Sequence, residues 1–294
     1  MPGKRWTAAV FLALTALGAM AAPLCAAGPG PAGEGRAPLS LAVHPYLSPS
    51  ELIGRFTPLA VMLGRRTGRE IRIEISSDYA DHVSRIGQGR ADIAYMGPAS
   101  YVRAASVYGK FPLLAKQEIN GKPYFTGVII KRAGSPLGDL KGMKGGRFAF
   151  GDPGSTMSHL VPRYMLIEAG LMTGDYESEF LQNHDNVALG VLVGDFDAGA
   201  VKEETFHKYR GRGIEALAFT PEISEHLFIA RRDLDPDTVR ALRQTMLALA
   251  GEPGGMQALT SIKPEISGLV PVEDSDYDNL RAIIKRLERE GVTP

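Results

Sequence analysis

Cysteine is nearly absent from this sequence, because Cys25 is the only thiol among 294 residues. Cleavage after Ala27, argued below, would remove it and leave no disulfide, thiol nucleophile or thiolate metal site. Net charge is also missing, since 33 basic and 33 acidic side chains cancel. Binders of nucleic acids and of anionic membranes use broad positive fields, so this balance argues against both classes. Any anion site must therefore be built locally.

Signatures of the common enzyme classes are lacking as well. The chain has no Gly-x-Ser-x-Gly elbow, no His-Glu-x-x-His, no Walker loop and no Gly-x-Gly-x-x-Gly at a strand end. Four histidines have spacings that match no standard metal motif: His44, His159, His184 and His226. We therefore expect no metal, no cofactor and no catalysis. An enzyme is kept as the alternative from another class, which turnover assays would test.

The one long hydrophobic run lies at the N-terminus and is typical of a secretory signal peptide. Lys4 and Arg5 form a positive start, and residues 8–24 are almost wholly apolar. Small residues follow, with cleavage after Ala27 as the first choice and after Ala21 as the second. The predicted signal peptide is therefore residues 1–27, which implies export to the periplasm.

Two alternatives to a cleaved signal stay open. The apolar run of about 17 residues is at the lower limit for a membrane anchor. Lipid anchoring at Cys25 is not favoured, because a lipoprotein signal has a small residue before its cysteine and Leu24 stands there. Residues 28–37 are rich in Gly and Pro and have no core-forming pattern, which predicts a flexible tether.

Strand and helix patterns alternate along the rest of the chain. Strands are predicted at residues 39–43, 71–75, 93–96, 128–131, 147–150 and 196–201. Helices are predicted between them, including one at 155–169 and one near the start in which Pro58 implies a kink or a restart. Such alternation predicts an α/β fold with parallel strands and crossover helices.

Two successive α/β units and a late return of the chain predict two lobes. The lobes would be joined by two crossing strands, near residues 116–126 and 217–227. We assign residues 38–122 and 220–294 to lobe 1 and residues 123–219 to lobe 2. No internal sequence repeat supports or opposes this division.

The segment FAFGDPGSTMSHLVPRYML carries the strongest chemical signal. A buried strand ends at a Gly-Asp-Pro-Gly turn, and a helix starts at Ser155 or Thr156. The open N–H groups of a first helical turn attract anions, and nearby hydroxyls add donors. Ser158 and His159 are further candidates in this turn. The alternative is structural, since Ser and Thr are ordinary helix caps.

Two other strand ends have a related design. In ADIAYMGPASYV, Tyr95 ends a strand and Ser100 opens a helix after Gly97-Pro98. Tyr46 and His44 follow the first strand. Open α/β sheets bind ligands at the carboxyl ends of their strands, so three such ends suggest one cleft. Tyr95 could equally be a core aromatic residue.

Three motifs in this order and spacing carry a resemblance to a known family. They are ADIAYMGPASYVRA, FAFGDPGSTMSHLVPRYML and HDNVALGVLVGDFDAGAV. The chain resembles, from about Leu39 to Leu287, the phosphate/phosphite/phosphonate-binding family of periplasmic solute-binding proteins. The resemblance implies a bilobal type-II periplasmic-binding fold with two α/β lobes and two hinge strands. It also implies a small oxyanion ligand and a partner permease of an ABC transporter in the membrane. We expect the protein to be a monomer.

Residues carry over from the family by position. Ser155 and Thr156 match paired hydroxyls at a helix start, and Tyr46 matches an aromatic residue after the first strand. His184 matches a histidine that reaches the anion. Asp197 matches an acidic residue on the strand before the return crossing, where a structural capping role is an equal alternative.

Two departures from the family pattern bear on the ligand. The family usually continues Ser-Thr with another Ser, where this chain has Met157. Near the return crossing, His226 stands where aminoalkylphosphonate binders tend to carry an acidic residue. A cationic histidine repels an amine, so we expect aminoalkylphosphonates to bind less well, unless Asp197 or Glu204 supplies a carboxylate. A sensory protein reporting to a separate signalling chain is the alternative role for the same fold.

Overall fold

The computed structural model of the protein describes Gly3 and residues 37–292. The predicted signal peptide, Cys25 and most of the predicted tether lie outside the described residues. Among the described residues, none of the helices is long and apolar enough to cross a membrane. The account that follows concerns residues 37–292.

The described residues form thirteen strands and nine α-helices. The strands are β1 Leu39–Val43, β2 Ile71–Ile75, β3 Ile93–Met96, β4 Leu113–Ile119, β5 Tyr124–Phe125, β6 Gly127–Arg132, β7 Arg147–Phe150, β8 Glu177–Phe180, β9 Ala198–Lys202, β10 Ile214–Phe219, β11 Ile223–Ser224, β12 Leu227–Ala230 and β13 Ile266–Val270. The helices are α1 Pro49–Thr67, α2 Tyr79–Gly87, α3 Pro98–Tyr108, α4 Val161–Glu168, α5 His184–Val193, α6 Glu203–Tyr209, α7 Pro236–Ala248, α8 Gly255–Ile262 and α9 Asp278–Arg289.

Two larger sheets organise the fold. The first has six strands in the order β13-β4-β12-β3-β1-β2, and the second has five in the order β10-β6-β9-β7-β8. Strands β2, β1 and β3 are parallel, as are β8, β7 and β9. The expected α/β fold with crossover helices is therefore confirmed. The remaining pairings within the two sheets are antiparallel and were not predicted.

The chain passes between the sheets twice. Strand β5 lies on the outward passage and β11 on the return, and the two pair with each other in an antiparallel ribbon. Strands of the six-stranded sheet lie at residues 39–119 and 227–270, and those of the five-stranded sheet at 127–219. The lobe boundaries given above remain a prediction.

Helix α1 shows how the first crossover is fixed. The Ser48 side chain caps its start by accepting from the Glu51 N–H at 3.4 Å, and Gly68 ends it in the left-handed conformation at φ 64°. The sequence predicted either a kink or a restart at Pro58. The helix continues through Pro58, so there is no restart. Apolar side chains on both sides of the proline are buried. Burial of each of these side chains stabilises the fold by about 1.5–3 kcal/mol. Together they exceed the cost of about 3 kcal/mol that a proline causes inside a helix.

The helix predicted at 155–169 begins differently from expectation. Residues Thr156–Leu160 form a π-helical turn, and α4 starts only at Val161. Pro162 has no N–H to bond the carbonyl of Ser158, which instead accepts from the Gly151 N–H at 3.0 Å. Such wide turns occur often at functional sites. Here the turn directs residues 155 and 156 toward the cavity described next.

Candidate functional site

A cavity of about 410 Å³ lies at the carboxyl ends of the parallel strands of both sheets. His44 and Tyr46 follow β1, and Tyr95 lies near the end of β3. Ser155 and Thr156 follow β7. Ligand sites of open α/β sheets form at such ends, and the volume suits a small molecule. We call Ser155, Thr156 and His184 the donor wall, and His44, Tyr95, Gln117 and His226 the aromatic wall.

Each hydroxyl group of the donor wall accepts a hydrogen bond from one backbone N–H and still has its own proton to donate. Ser155 Oγ accepts from the Ser158 N–H at 3.1 Å, and Thr156 Oγ1 accepts from the Ala99 N–H at 3.0 Å. Both side chains are buried against the cavity. Because a hydroxyl both accepts and donates, capping and anion binding are compatible roles for these residues. The two interpretations of the helix start therefore do not compete.

His184 adds a neutral donor to the same wall. It begins α5, and its Nδ1 accepts from the Lys202 backbone N–H at 3.1 Å. Since a backbone N–H only donates, the proton of the neutral ring is on Nε2. Burial, together with the nearby Lys202 charge, lowers the pKa of His184 to about 3. The imidazole thus donates without carrying charge at neutral pH.

The aromatic wall is fixed from behind by a chain of hydrogen bonds. The Tyr95 carbonyl accepts from His44 Nδ1 at 3.2 Å and from His82 Nε2 at 3.0 Å. The other nitrogen of His82 accepts from the Ser76 hydroxyl at 2.9 Å. Burial lowers the pKa of His82 to about 4 and that of His44 well below its ordinary value, so both are neutral. His82 was missed because its role comes from burial behind the cavity, which no motif marks.

Tyr95 is both a core aromatic residue and part of the cavity. It packs on Phe56 and Phe228, and the rings of His44 and His226 lie nearly parallel to it at centroid distances of 5.3 Å and 5.5 Å. Its hydroxyl donates to Gln117 Oε1 at 3.1 Å. The two interpretations of Tyr95 are therefore both consistent with the structure.

A buried carboxylate, hydrogen-bonded to a histidine, lies where the return crossing meets the cavity. Glu225 is 2% exposed, and its Oε2 accepts from the N–H and from Nδ1 of His226, both at 2.8 Å. Burial by itself raises the pKa of Glu225, but the hydrogen bonds and charge of His226 hold that pKa below its ordinary value. His226 thus lines the cavity as expected, with an adjacent carboxylate that the sequence analysis did not weigh.

A second group of charges borders the cavity near Tyr46. Lys202 Nζ lies 3.0 Å from Glu204 and 5.3 Å from the centre of the Tyr46 ring. Lys263, which follows α8, lies 3.8 Å from the same Glu204 oxygen. Burial lowers the pKa of Lys202, although Glu204 opposes that effect. This group joins the end of β9 and the start of α6 to the segment that follows α8.

Two of the predicted binding residues lie outside this cavity. Ser158 is buried and donates to the Ala200 carbonyl at 2.5 Å, so its hydroxyl is used within the fold. Ser100 lines a separate pocket of about 180 Å³ with Asp152. Ser155 precedes the turn as its cap and has an extended backbone, with φ −76° and ψ 129°, whereas Ser158 lies inside the turn and directs its hydroxyl to β9.

His159 and Asp197 also lie elsewhere. His159 Nδ1 donates to the Pro153 carbonyl at 2.6 Å, and its ring packs edge-on against Phe150. Burial lowers the pKa of His159 to about 4, so it carries no charge near neutral pH. Asp197 is exposed and accepts from the Arg147 N–H at 2.8 Å before β9 begins. That contact fits the structural alternative for Asp197.

Residues that the sequence analysis did not name complete the cavity. They are chiefly Tyr79, Gln117, Lys202, Glu225 and Lys263. Tyr79 follows the Asp78 cap of α2 at a fourth strand end, a signal of the same kind as the three used above. Within residues 37–292, no group of three or more His, Cys, Asp or Glu side chains is arranged to hold a metal ion.

Two α/β sheets joined by paired crossing strands, with a cavity at the strand ends, are the two-lobe fold of periplasmic binding proteins. The family model for the periplasmic substrate-binding protein of phosphonate ABC transporters matches residues 41–277. Because this span is most of the chain, the protein belongs to that family. It is therefore a substrate-binding component of an ABC transporter, and the family implies a periplasmic location. The separate sensory role is not favoured.

Individual relatives agree with this assignment. The chain is 28% identical over 271 residues to the phosphate-import protein PhnD of Mycolicibacterium smegmatis, covering 83% of this chain and 84% of that protein. PhnD1 of Prochlorococcus marinus, solved in complex with methylphosphonate, has a TM-score of 0.75 at 22% identity and coverage of 85% and 98%. A binding-protein component of an ABC phosphonate transporter from Pseudomonas aeruginosa has a TM-score of 0.77 at 18% identity and coverage of 87% and 88%.

Proposed function

We propose that the cavity binds a small oxyanion of the phosphate, phosphite or phosphonate class. The donor wall carries this proposal. Ser155 and Thr156 each hold an N–H at 3.1 Å and 3.0 Å and retain a proton for a ligand oxygen. His184 presents a third neutral donor. Hydrogen bonds to an anion are stronger than neutral ones, so a few convergent donors suffice without a cation.

We further propose that phosphate, phosphite or a phosphonate with an uncharged tail binds better than 2-aminoethylphosphonate. An ammonium group in the cavity needs a free carboxylate, because burying an unpaired charge is costly. Glu225 is bonded to His226, and Glu204 lies between Lys202 and Lys263. Asp197 lies outside the cavity. Of the carboxylates that could pair with the ammonium group, Glu225 and Glu204 are therefore already bonded within the protein, and Asp197 is too far from the cavity.

A thermal-shift panel tests both statements. A ligand at about 100 times its dissociation constant adds about 2.7 kcal/mol of stability, which gives a measurable shift. We expect phosphate, phosphite or methylphosphonate to give the largest shift, and sulfate serves as a comparison anion. The largest shift from 2-aminoethylphosphonate would overturn the preference. The absence of a shift with every phosphorus oxyanion would overturn the oxyanion proposal itself.

The remaining proposals concern the setting of the protein. We expect the chain to be exported by cleavage near Ala27, to act as a monomer, to pass its ligand to a membrane permease and to catalyse no reaction. Mass spectrometry of the mature N-terminus tests the first point, and a full-length cytoplasmic product would contradict it. Turnover of a bound phosphonate would contradict the last.

A further inference from the structure

Gln117 has an unpaired group in an otherwise well-bonded wall of the cavity. It lies in β4, is 2% exposed and lines the cavity. Its Oε1 accepts from the Tyr95 hydroxyl at 3.1 Å. In the part of the chain that the structure describes, two buried side-chain polar atoms have no hydrogen-bond partner, Gln117 Nε2 and Arg163 Nε. Only the first belongs to a residue of the cavity.

The unpaired amide is held in place by its surroundings. The Gln117 backbone N–H donates to the His226 carbonyl at 2.8 Å, and its strand pairs with β13 at Leu269. Tyr95, which orients the side chain, is itself held by His44 and His82 through its carbonyl. A buried N–H without an acceptor is costly, and native proteins leave few of them. A partner from outside the chain, in the cavity, is the expected solution.

The chemistry of that partner follows from the group. An amide nitrogen only donates, so the partner must present an acceptor, and an anionic oxygen is the strongest one. The donor wall serves an oxyanion from the five-stranded sheet. Gln117 approaches the same cavity from the six-stranded sheet. A tetrahedral oxyanion has oxygen atoms that point in several directions, so both walls can bind it at once.

We propose that Gln117 is a ligand-contacting specificity residue whose Nε2 donates to an oxygen of the bound oxyanion. This inference rests on the proposed function and adds a residue that neither motif nor spacing indicated. It makes Gln117 a donor from the six-stranded sheet to the ligand. The ligand then needs an acceptor that faces this sheet for both walls to bind it at once.

A double-mutant cycle with Tyr95 separates ligand contact from a structural role. Gln117→Met removes the amide and keeps the side-chain length, but it also leaves the Tyr95 hydroxyl unpaired. Tyr95→Phe removes that hydroxyl, so the double variant Y95F/Q117M has neither unpaired group. We expect Y95F/Q117M to bind methylphosphonate about tenfold or more weakly than Y95F, by calorimetry. Without ligand, its thermal midpoint should not fall below that of Y95F.

Other outcomes decide against the inference or against its basis. Equal affinity of Y95F/Q117M and Y95F would show that the amide meets solvent or serves only Tyr95, and the inference would be wrong. Gln117→Glu keeps the Oε1 acceptor for Tyr95 and replaces only the unpaired nitrogen, so it should weaken anion binding further. If Q117E bound methylphosphonate as tightly as the wild-type protein, the amide nitrogen would not face the ligand, and the inference would be wrong. If wild-type protein bound no oxyanion, the proposed function would fail first.

Discussion

The two walls of the cavity were built by different means. The donor wall lies at positions that local chain features mark, namely a helix start after β7 and the first residue of α5, although the N–H bound by Thr156 comes from the distant Ala99. The aromatic wall uses contacts between distant segments, such as Tyr95 with Gln117 and His44 with the Tyr95 carbonyl. Local features can be recognised in a sequence, whereas distant contacts appear only once the chain is folded. The comparison also separates a wall of hydroxyl donors from one of packed rings.

The largest expected effect is on the donor wall. Hydrogen bonds to a charged group contribute about 1.5–3 kcal/mol each, so Ser155→Ala or Thr156→Ala should weaken oxyanion binding by about tenfold or more. The double variant should lose about a hundredfold or more if the effects add. Calorimetric titration measures this loss. Ser100→Ala is the matched control, since Ser100 is a buried serine at a helix start outside the cavity.

Thermal unfolding must accompany that titration. Ser155→Ala loses a helix cap, which costs about 0.5–2 kcal/mol of stability. The Ser155→Ala variant should bind the oxyanion more weakly even at temperatures at which its unfolding curve shows it to be fully folded. Normal binding by both single variants would mean that this helix start is only a cap.

A second prediction concerns acid stability, which should depend on His82 behind the aromatic wall and on the buried histidines of both walls. The pKa of His82 is lowered to about 4 in the folded protein, below the value of about 6.5 for an unfolded chain. The unfolded state therefore binds more protons, and stability is lost as pH falls from about 6.5 toward 4. His44 shares this burial, while the donor wall has only His184. We expect a clearly lower thermal midpoint at pH 5 than at pH 7.

His82→Gln tests the cause of that loss. It removes a buried titrating ring and should flatten the decline of the thermal midpoint between pH 7 and pH 5, even if it lowers the midpoint at pH 7. His207→Gln changes an exposed histidine and should keep the wild-type slope. An unchanged slope in the His82 variant would assign the acid sensitivity to other groups.

The smallest expected effect concerns the charges that border both walls. Glu204 lies between Lys202 and Lys263, so Glu204→Gln leaves these cations less neutralised and should favour an anion. Partly exposed ion pairs contribute about 0.2–1 kcal/mol, so the gain in affinity should stay below about fivefold. This gain in affinity should become smaller at high salt, because salt screens the interactions between exposed charges. Glu179→Gln, on β8 outside the cavity, is the control, and weaker binding by the Glu204 variant would reverse the argument.

The sequence predicted the parallel parts of the fold better than the rest. Strands β1, β2, β3 and β7 were predicted with the observed bounds, because apolar runs and glycine turns mark them. Strands β4, β8, β10, β12 and β13 were not assigned. Their pairing partners are mostly antiparallel and far away in the chain, so tertiary contacts rather than local pattern define them.

The cavity residues divide in the same way. Tyr46, Tyr95, Ser155, Thr156, His184 and His226 line the cavity, and their contact with a ligand remains a prediction. Ser158 and His159 share the segment of Ser155 but lie inside the π-helical turn that Ser155 only caps, and their side chains bond carbonyl groups within the fold. Gln117 and Glu225 had no motif to mark them, since their importance comes from burial beside distant partners.

A crystal structure of the mature protein with methylphosphonate or phosphite tests the central claim most directly. The account predicts one anion between the walls, with oxygen atoms within hydrogen-bond distance of Ser155 Oγ, Thr156 Oγ1 and His184 Nε2 on one side. Gln117 Nε2 should donate to it from the other side. An anion bound away from the donor wall, or a cavity that stays without anion at saturating ligand, would contradict the account.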